Sequence, residues 1–150
     1  MIIRQGRARV PVTEVVLHCA ALSDEQVESF AKMTPMQVRV EVEAWHKQRG
    51  FSQIGYHGIF MPDGTFITGR PYEVIGAHVI EKNRGTFGFL MIESKKITKI
   101  GKFTDWFTEA QRRAVRMKIS DFDGITKVSG HNDYANKLCP GFRVETGDWL

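Results

Sequence analysis

A histidine, a lysine and a cysteine fall within nine residues near the C-terminus: His131, Lys137 and Cys139. The run that carries them, Ser129-Gly130-His131-Asn132-Asp133-Tyr134-Ala135-Asn136-Lys137-Leu138-Cys139-Pro140-Gly141-Phe142, is rich in loop formers. Neutral imidazole and thiolate are soft-to-borderline donors that suit zinc. Two donors do not hold an ion, so a third has to come from elsewhere. His18, at the end of the apolar run Val15-Val16-Leu17-His18-Cys19, supplies it. A structural zinc site usually takes four protein ligands, whereas three leave a position for water, which is the catalytic arrangement. Zinc lowers the pKa of such a water to about 7, which makes hydroxide available at neutral pH. Taken alone, His18 also reads as a hydrogen-bonded core histidine. Cys139 also reads as a thiol nucleophile with His131 as its base.

The chain must position these groups with one ordinary core. Its 150 residues suit a single domain. A core of that size buries roughly 70% of the surface an unfolded chain exposes, so neither a disulfide nor a structural metal is needed for stability. Apolar residues at 42% and charged residues at 25% are the balance of a globular protein and exclude a disordered or fibrous chain. The 21 Lys and Arg against 17 Asp and Glu leave +4, which suits approach to a polyanion without choosing which. No recognised nucleic-acid module accompanies that charge, so nucleic acid is not expected as a partner. The two cysteines, Cys19 and Cys139, exclude a disulfide framework, and a bridge between them is not expected. The basic N-terminal stretch lacks an apolar h-region, so no Sec signal peptide is expected. No window approaches 18 apolar residues, so neither is a membrane-spanning helix.

Several elements are legible. Thr13 to Ala20 reads as a buried strand, on which His18 and Cys19 point to opposite faces, leaving Cys19 as a small buried hydrophobe. Residues 21–33 read as polar and irregular, with at most a short helical turn. Thr34 as N-cap, Pro35 at the first helical position and Gln37 closing a capping box predict a helix over 35–49, with Val38, Val42 and Trp45 facing the core. Gly55 to Met61 and Thr65 to Thr68 read as a hairpin about Pro62-Asp63-Gly64. Thr86 to Ile92 is a nearly unbroken apolar run, the mark of a strand covered on both faces. Ser94 to Asp105, with Lys95, Lys96, Lys99 and Lys102, reads as a solvated loop. A second capping box, Thr108 with Gln111, opens a helix over 109–121, and residues 125–128 form a short strand that delivers His131. The expected fold is α/β: a central mixed β-sheet with helices on both faces and the site at strand ends.

Read in order, these pieces resemble a known family. They are Val15 to Ala20, Trp45-His46-Lys47-Gln48-Arg49-Gly50-Phe51, Ile54-Gly55-Tyr56-His57, Asp63-Gly64-Thr65, Gly69-Arg70, Gly76-Ala77-His78, Asn83, and His131 through Lys137 to Cys139-Pro140-Gly141-Phe142. Together they are similar to the zinc-dependent N-acetylmuramoyl-L-alanine amidases, which include amidase-type bacteriophage lysozymes and the animal peptidoglycan recognition proteins. The likeness covers about residues 13–142. Histidine, five residues, lysine, one residue, cysteine and proline form its most specific part, and Lys137 favours the phage branch. The resemblance implies one Zn2+ held by His18, His131 and Cys139, with Tyr56 and Lys137 catalytic and His78 and Asn83 lining the substrate groove. It implies peptidoglycan as substrate, cut between N-acetylmuramic acid and L-alanine of the stem peptide by a single amidase domain over 1–150. It further implies a monomer that accumulates in the host cytoplasm until release to the wall.

The residue types suit that chemistry. A phenol at Tyr56 can hydrogen-bond a metal-held water or a developing oxyanion, and Lys137 is a point cation able to stabilise the tetrahedral oxyanion. His57, next to Tyr56, reads as structural, and His46 as a helix residue behind the site or on the surface. The stretch 21–34 is long for a compact amidase and is a candidate groove wall. Two other functions fit the same family: a non-catalytic peptidoglycan-binding module, which Cys139 disfavours because non-cutting relatives usually lack that ligand, and an inhibitor of a phage RNA polymerase.

Overall fold

The computed structural model describes residues 1–150. Two short strands, β1 (Arg4–Gln5) and β2 (Val10–Pro11), form an antiparallel hairpin ahead of β3 (Glu14–Cys19). Two helices follow, α1 (Asp24–Ala31) and α2 (Pro35–Gln48), then the strands β4 (Gly58–Phe60), β5 (Phe66–Thr68) and β6 (Thr86–Met91). The chain closes with α3 (Phe103–Trp106), α4 (Glu109–Ser120), β7 (Lys127–Gly130) and two single 3-10 turns, His131–Asp133 and Thr146–Asp148.

Five strands make one mixed sheet in the order β5-β4-β6-β3-β7, with β5 antiparallel and the other neighbours parallel. The central strands β3 and β6 are buried at every residue, as their largely apolar runs require, with Glu14, His18 and Thr86 as the buried polar members. Alternation then sorts their side chains. Val15, Leu17 and Cys19 of β3 and Phe87, Phe89 and Met91 of β6 meet Val115 and Ile119 of α4 on one face. Leu90 and Ile59 meet Phe30 of α1 and Val38 and Val42 of α2 on the other. Each large side chain so buried contributes about 1.5–3 kcal/mol. Cys19 joins the first core while His18, paired in register with Leu90, faces the α2 side. The expected α/β layering, with helices on both faces, is the observed one.

Four local expectations need correction. Residues 21–33 are not irregular, because Ser23 caps α1 and Gln26 returns the capping-box bond. That Ser-Asp-Glu-Gln signal is masked by a weak apolar stripe: only Phe30 is buried along the helix, where it stacks on Trp45. The lysine-bearing segment keeps exposed lysines but ends in the one-turn α3, whose Phe103 and Trp106 are core residues. The strand expected from Gly55 starts only at Gly58, so Tyr56 sits on an irregular run. The last strand is β7 at 127–130 rather than 125–128, which brings it directly against His131.

Candidate metal centre

The carboxyl ends of β3 and β7 lie side by side, since the two strands are parallel with Leu17 opposite Gly130. His18 follows Leu17 and His131 follows Gly130, so sheet register alone makes the two histidines neighbours, with ring centroids 4.8 Å apart. Cys139 comes back across this end from the loop. Its Sγ stands 3.8 Å from His18 Nδ1 and accepts a 3.2 Å hydrogen bond from the Cys19 backbone N–H. One donor atom from each of His18, His131 and Cys139 lies within 4.8 Å of the others. The three ligands expected from the sequence are thus brought together from positions up to 121 residues apart.

The loop between them is tied down. Asp133 Oδ2 accepts from the Gly130 N–H at 2.9 Å, closing the turn that carries His131. Tyr134 reaches back along the sheet to donate its hydroxyl to Glu14 Oε2, which also accepts from Ser129 Oγ at 2.6 Å. Beyond Cys139, the Gly141 carbonyl accepts from Trp106 Nε1 and from the Gly101 N–H, each at 2.8 Å.

The electrostatics favour a metal donor set. Hydrogen bonding from Cys19, then from His131 and His18, holds the Cys139 thiol well below its ordinary range, toward thiolate. Burial lowers His18, keeping the imidazole neutral. Metal ligands must be in these forms, a deprotonated thiol and a neutral imidazole.

Tyr56 is half-buried with its ring edge-on to His18, centroids 5.0 Å apart, and burial pushes its phenol pKa up. Its segment is pinned although it is not a strand. The Tyr56 carbonyl accepts from the Arg70 N–H at 2.7 Å, and the Arg70 guanidinium donates to the carbonyls of Gln53, Ile54 and Ile75. Lys137 is exposed, and its charge is felt at His18, where it adds to the lowering of that pKa.

The resemblance puts His78 and Asn83 along the substrate groove; in the structure His78 is buried and Asn83 is half-buried. His78 is buried beneath His18, its Nδ1 2.9 Å from His18 Nε2 and its Nε2 3.1 Å from Thr86 Oγ1. Asn83 Oδ1 accepts from the N–H groups of His78 and Val79, so this side chain shapes the turn that carries His78. The reason is the irregular path of residues 73–85, which folds inward over β6, a course no local periodicity announces. His57 is structural, as expected. Its Nδ1 accepts from the Gly88 N–H at 3.1 Å, its Nε2 lies 2.8 Å from the Val74 carbonyl, and burial lowers its pKa to about 4. His46 is buried behind Tyr56, with Nδ1 accepting from the Gly55 N–H at 2.7 Å and its pKa also lowered by burial to about 4.

Thr86 and Glu93 also belong to the surroundings of the site, though neither stands out in the sequence. Glu93 is buried, and its two carboxylate oxygens accept from the N–H groups of Ala20 and Leu22, fixing the chain as it leaves His18. A charged residue ending an apolar strand was the available signal. For Thr86 the signal was Gly88, since a glycine inside a strand marks a close backbone approach. A Cβ there would overlap the His78 ring.

No protein-family model matches the chain. The endolysin of Klebsiella phage KP32 is 32% identical over 146 residues, covering 94% of this chain and 88% of that protein. The N-acetylmuramoyl-L-alanine amidase LysC from Clostridium intestinale superposes with a TM-score of 0.64 at 28% identity, covering 86% of this chain and 76% of LysC. A mutant Drosophila PGRP-LB in complex with tracheal cytotoxin superposes with a TM-score of 0.69 over 96% of this chain and 82% of its own, and at 23% identity it shares the fold. Identity to an endolysin that runs nearly end to end, on the amidase and peptidoglycan-recognition fold, identifies the family: the chain belongs to the phage endolysins, as an amidase-type phage lysozyme related to the peptidoglycan recognition proteins.

Proposed function

We propose that this phage-type peptidoglycan hydrolase is a zinc-dependent N-acetylmuramoyl-L-alanine amidase, cutting the amide between N-acetylmuramic acid and the stem-peptide L-alanine. One observation carries the reading: His18, His131 and Cys139 converge within 4.8 Å at the carboxyl ends of neighbouring parallel strands. The donor set fits zinc, with two imidazoles and one thiol biased toward thiolate, three ligands rather than the closed four of a structural site. Zinc bound there would supply a Lewis acid for the scissile carbonyl and a water acidic enough to ionise near neutral pH. The likeness to LysC supports amide rather than glycosidic cleavage, and kinship with proteins named for peptidoglycan recognition supports the wall polymer as partner.

The chain's own residues then take simple roles. Tyr56, half-buried against His18 and with its phenol kept protonated by burial, donates a hydrogen bond to the oxygen at which charge develops. Lys137, on the exposed side of the loop, offers its cation to the same oxyanion. Residues 1–150 act as one amidase domain, a monomer that accumulates in the host cytoplasm and reaches the wall on release.

The test is hydrolysis of purified cell wall with and without chelator, beside Cys139→Ser. New L-alanine amino termini without new reducing ends, lost on chelation and in the variant, are expected. Reducing ends would mark a glycosidase, and activity indifferent to chelator would remove zinc from the reaction.

A further inference from the structure

We propose that His78 is a positioning residue that sets the tautomer of His18, leaving His18 Nδ1 as the bare donor, and that Thr86 sets His78 in turn. The proposal rests on the reading of His18 as a metal ligand. Thr86 Oγ1 lies 2.8 Å from the Lys82 carbonyl oxygen and 3.0 Å from that of Asn83. Carbonyls only accept, and two of them face the single hydroxyl proton against one imidazole nitrogen that could donate instead, so the proposal directs that proton to a carbonyl. Oγ1 therefore meets its third neighbour, His78 Nε2 at 3.1 Å, as an acceptor. His78 then carries its proton on Nε2, and a neutral imidazole so protonated has Nδ1 as acceptor. That atom is 2.9 Å from His18 Nε2, so His18 carries Nε2–H. The remaining nitrogen of His18, Nδ1, then faces Cys139 Sγ at 3.8 Å with a free lone pair. The opposite tautomer would place a proton where the metal has to bind.

Three features hold the relay in place. The N–H groups of His78 and Val79 are fixed on Asn83 Oδ1 at 2.8 and 2.9 Å. A Cβ at Gly76 would stand 2.7 Å from His78 Cδ2, and one at Gly88 would overlap the ring, so glycines on both sides admit it. Gln5, the buried residue of β1, donates to the Thr86 carbonyl at 2.9 Å and accepts from the Gly85 N–H, which anchors the strand end carrying Thr86. Metal-bound histidines usually donate their second N–H to a carboxylate, a carbonyl or water, groups that can only or readily accept. Here the acceptor is an imidazole that could equally donate, and this is why a second group is needed to decide its direction.

Two measurements on the full chain test this. Histidine 15N NMR, on zinc-loaded and on chelated protein, is expected to show Nε2–H on His78 in both states and Nε2–H on His18 before zinc is added. A proton on His78 Nδ1 in either state overturns the proposal. Zinc affinity by chelator competition is expected to weaken about 10- to 100-fold in Thr86→Val and in His78→Leu with the circular dichroism spectrum retained. His78→Asn, which returns an acceptor near the Nδ1 position, is expected to recover most of the loss. Unchanged zinc affinity in folded Thr86→Val and His78→Leu overturns the proposal and leaves the zinc assignment standing. Wild-type protein that binds no zinc overturns the assignment beneath it. Should the variants not fold, the tautomers in wild type still decide.

Discussion

Lys137 and Tyr56 differ in what their removal should cost, because one is free and the other is packed. Lys137 is exposed and enters none of the ion pairs of the structure. Its truncation to Ala should leave stability within about 0.5 kcal/mol but lower kcat about 100- to 1000-fold with little change in KM, the signature of a lost oxyanion donor. Steady-state kinetics beside a thermal melt would separate the two, and an unchanged kcat would take Lys137 out of the reaction. The buried histidines give a pH prediction. His57 takes up its proton near 6.5 when unfolded and only near 4 when folded. Between those values the unfolded chain binds more protons, so stability is complete above about pH 6.5 and falls as pH drops toward 4. For His57 the loss is roughly 3 kcal/mol. Melting of chelated protein across that range should show the fall, and His57→Gln should make it shallower, the other buried histidines keeping the rest; an equal slope in the variant would assign the effect wholly to those groups.

At the scale of elements, β3 is the common wall. It carries His18 at one end and Glu14 at the other, both on the face under the ligand loop. Glu14 collects Ser129 of β7 and Tyr134 of the loop, with Lys82 Nζ 3.8 Å from its other oxygen and also over the Tyr134 ring. This latch holds the segment bearing His131 and Cys139 against the sheet. Tyr134→Phe removes one hydrogen bond to a charged group and should cost about 1.5–3 kcal/mol. Faster zinc release is expected with it, since both loop ligands lose an anchor. Stopped-flow chelation and a melt would check both, and wild-type values in the two would show that the loop is held elsewhere.

The whole molecule adds charge and access. The exposed Lys95, Lys96, Lys99 and Lys102 lie on a segment bridged through Gly101 to Phe142, three residues beyond Cys139. With a net +4 and this flank, approach to anionic wall polymer should weaken with ionic strength. The initial rate of wall lysis is expected to fall as salt rises from about 0.05 to about 0.5 M, because the screening length shrinks to a few ångströms. A flat salt response would remove the flank from substrate approach.

The local signals carried far. Capping boxes at Thr34 and Thr108 located α2 and α4 almost to the residue, and the apolar runs of β3 and β6 announced a sheet covered on both sides. Alternation alone separated His18 from Cys19. The candidate donor set of His18, His131 and Cys139, which the structure brings within 4.8 Å, was legible because metal chemistry restricts residue types. What the sequence did not disclose are relations with no period. Helix α1 buries a single side chain, so its pattern is too faint to read beside its polar neighbours. Residues 73–85 turn inward without a helix or strand, and only their packing over β6 puts His78 under His18. Residue types and strand periodicity therefore determine which groups can bind the metal and which face they take. Register between distant strands and the course of an irregular segment decide which of them meet and in what protonation, because those contacts join residues that no local interaction relates.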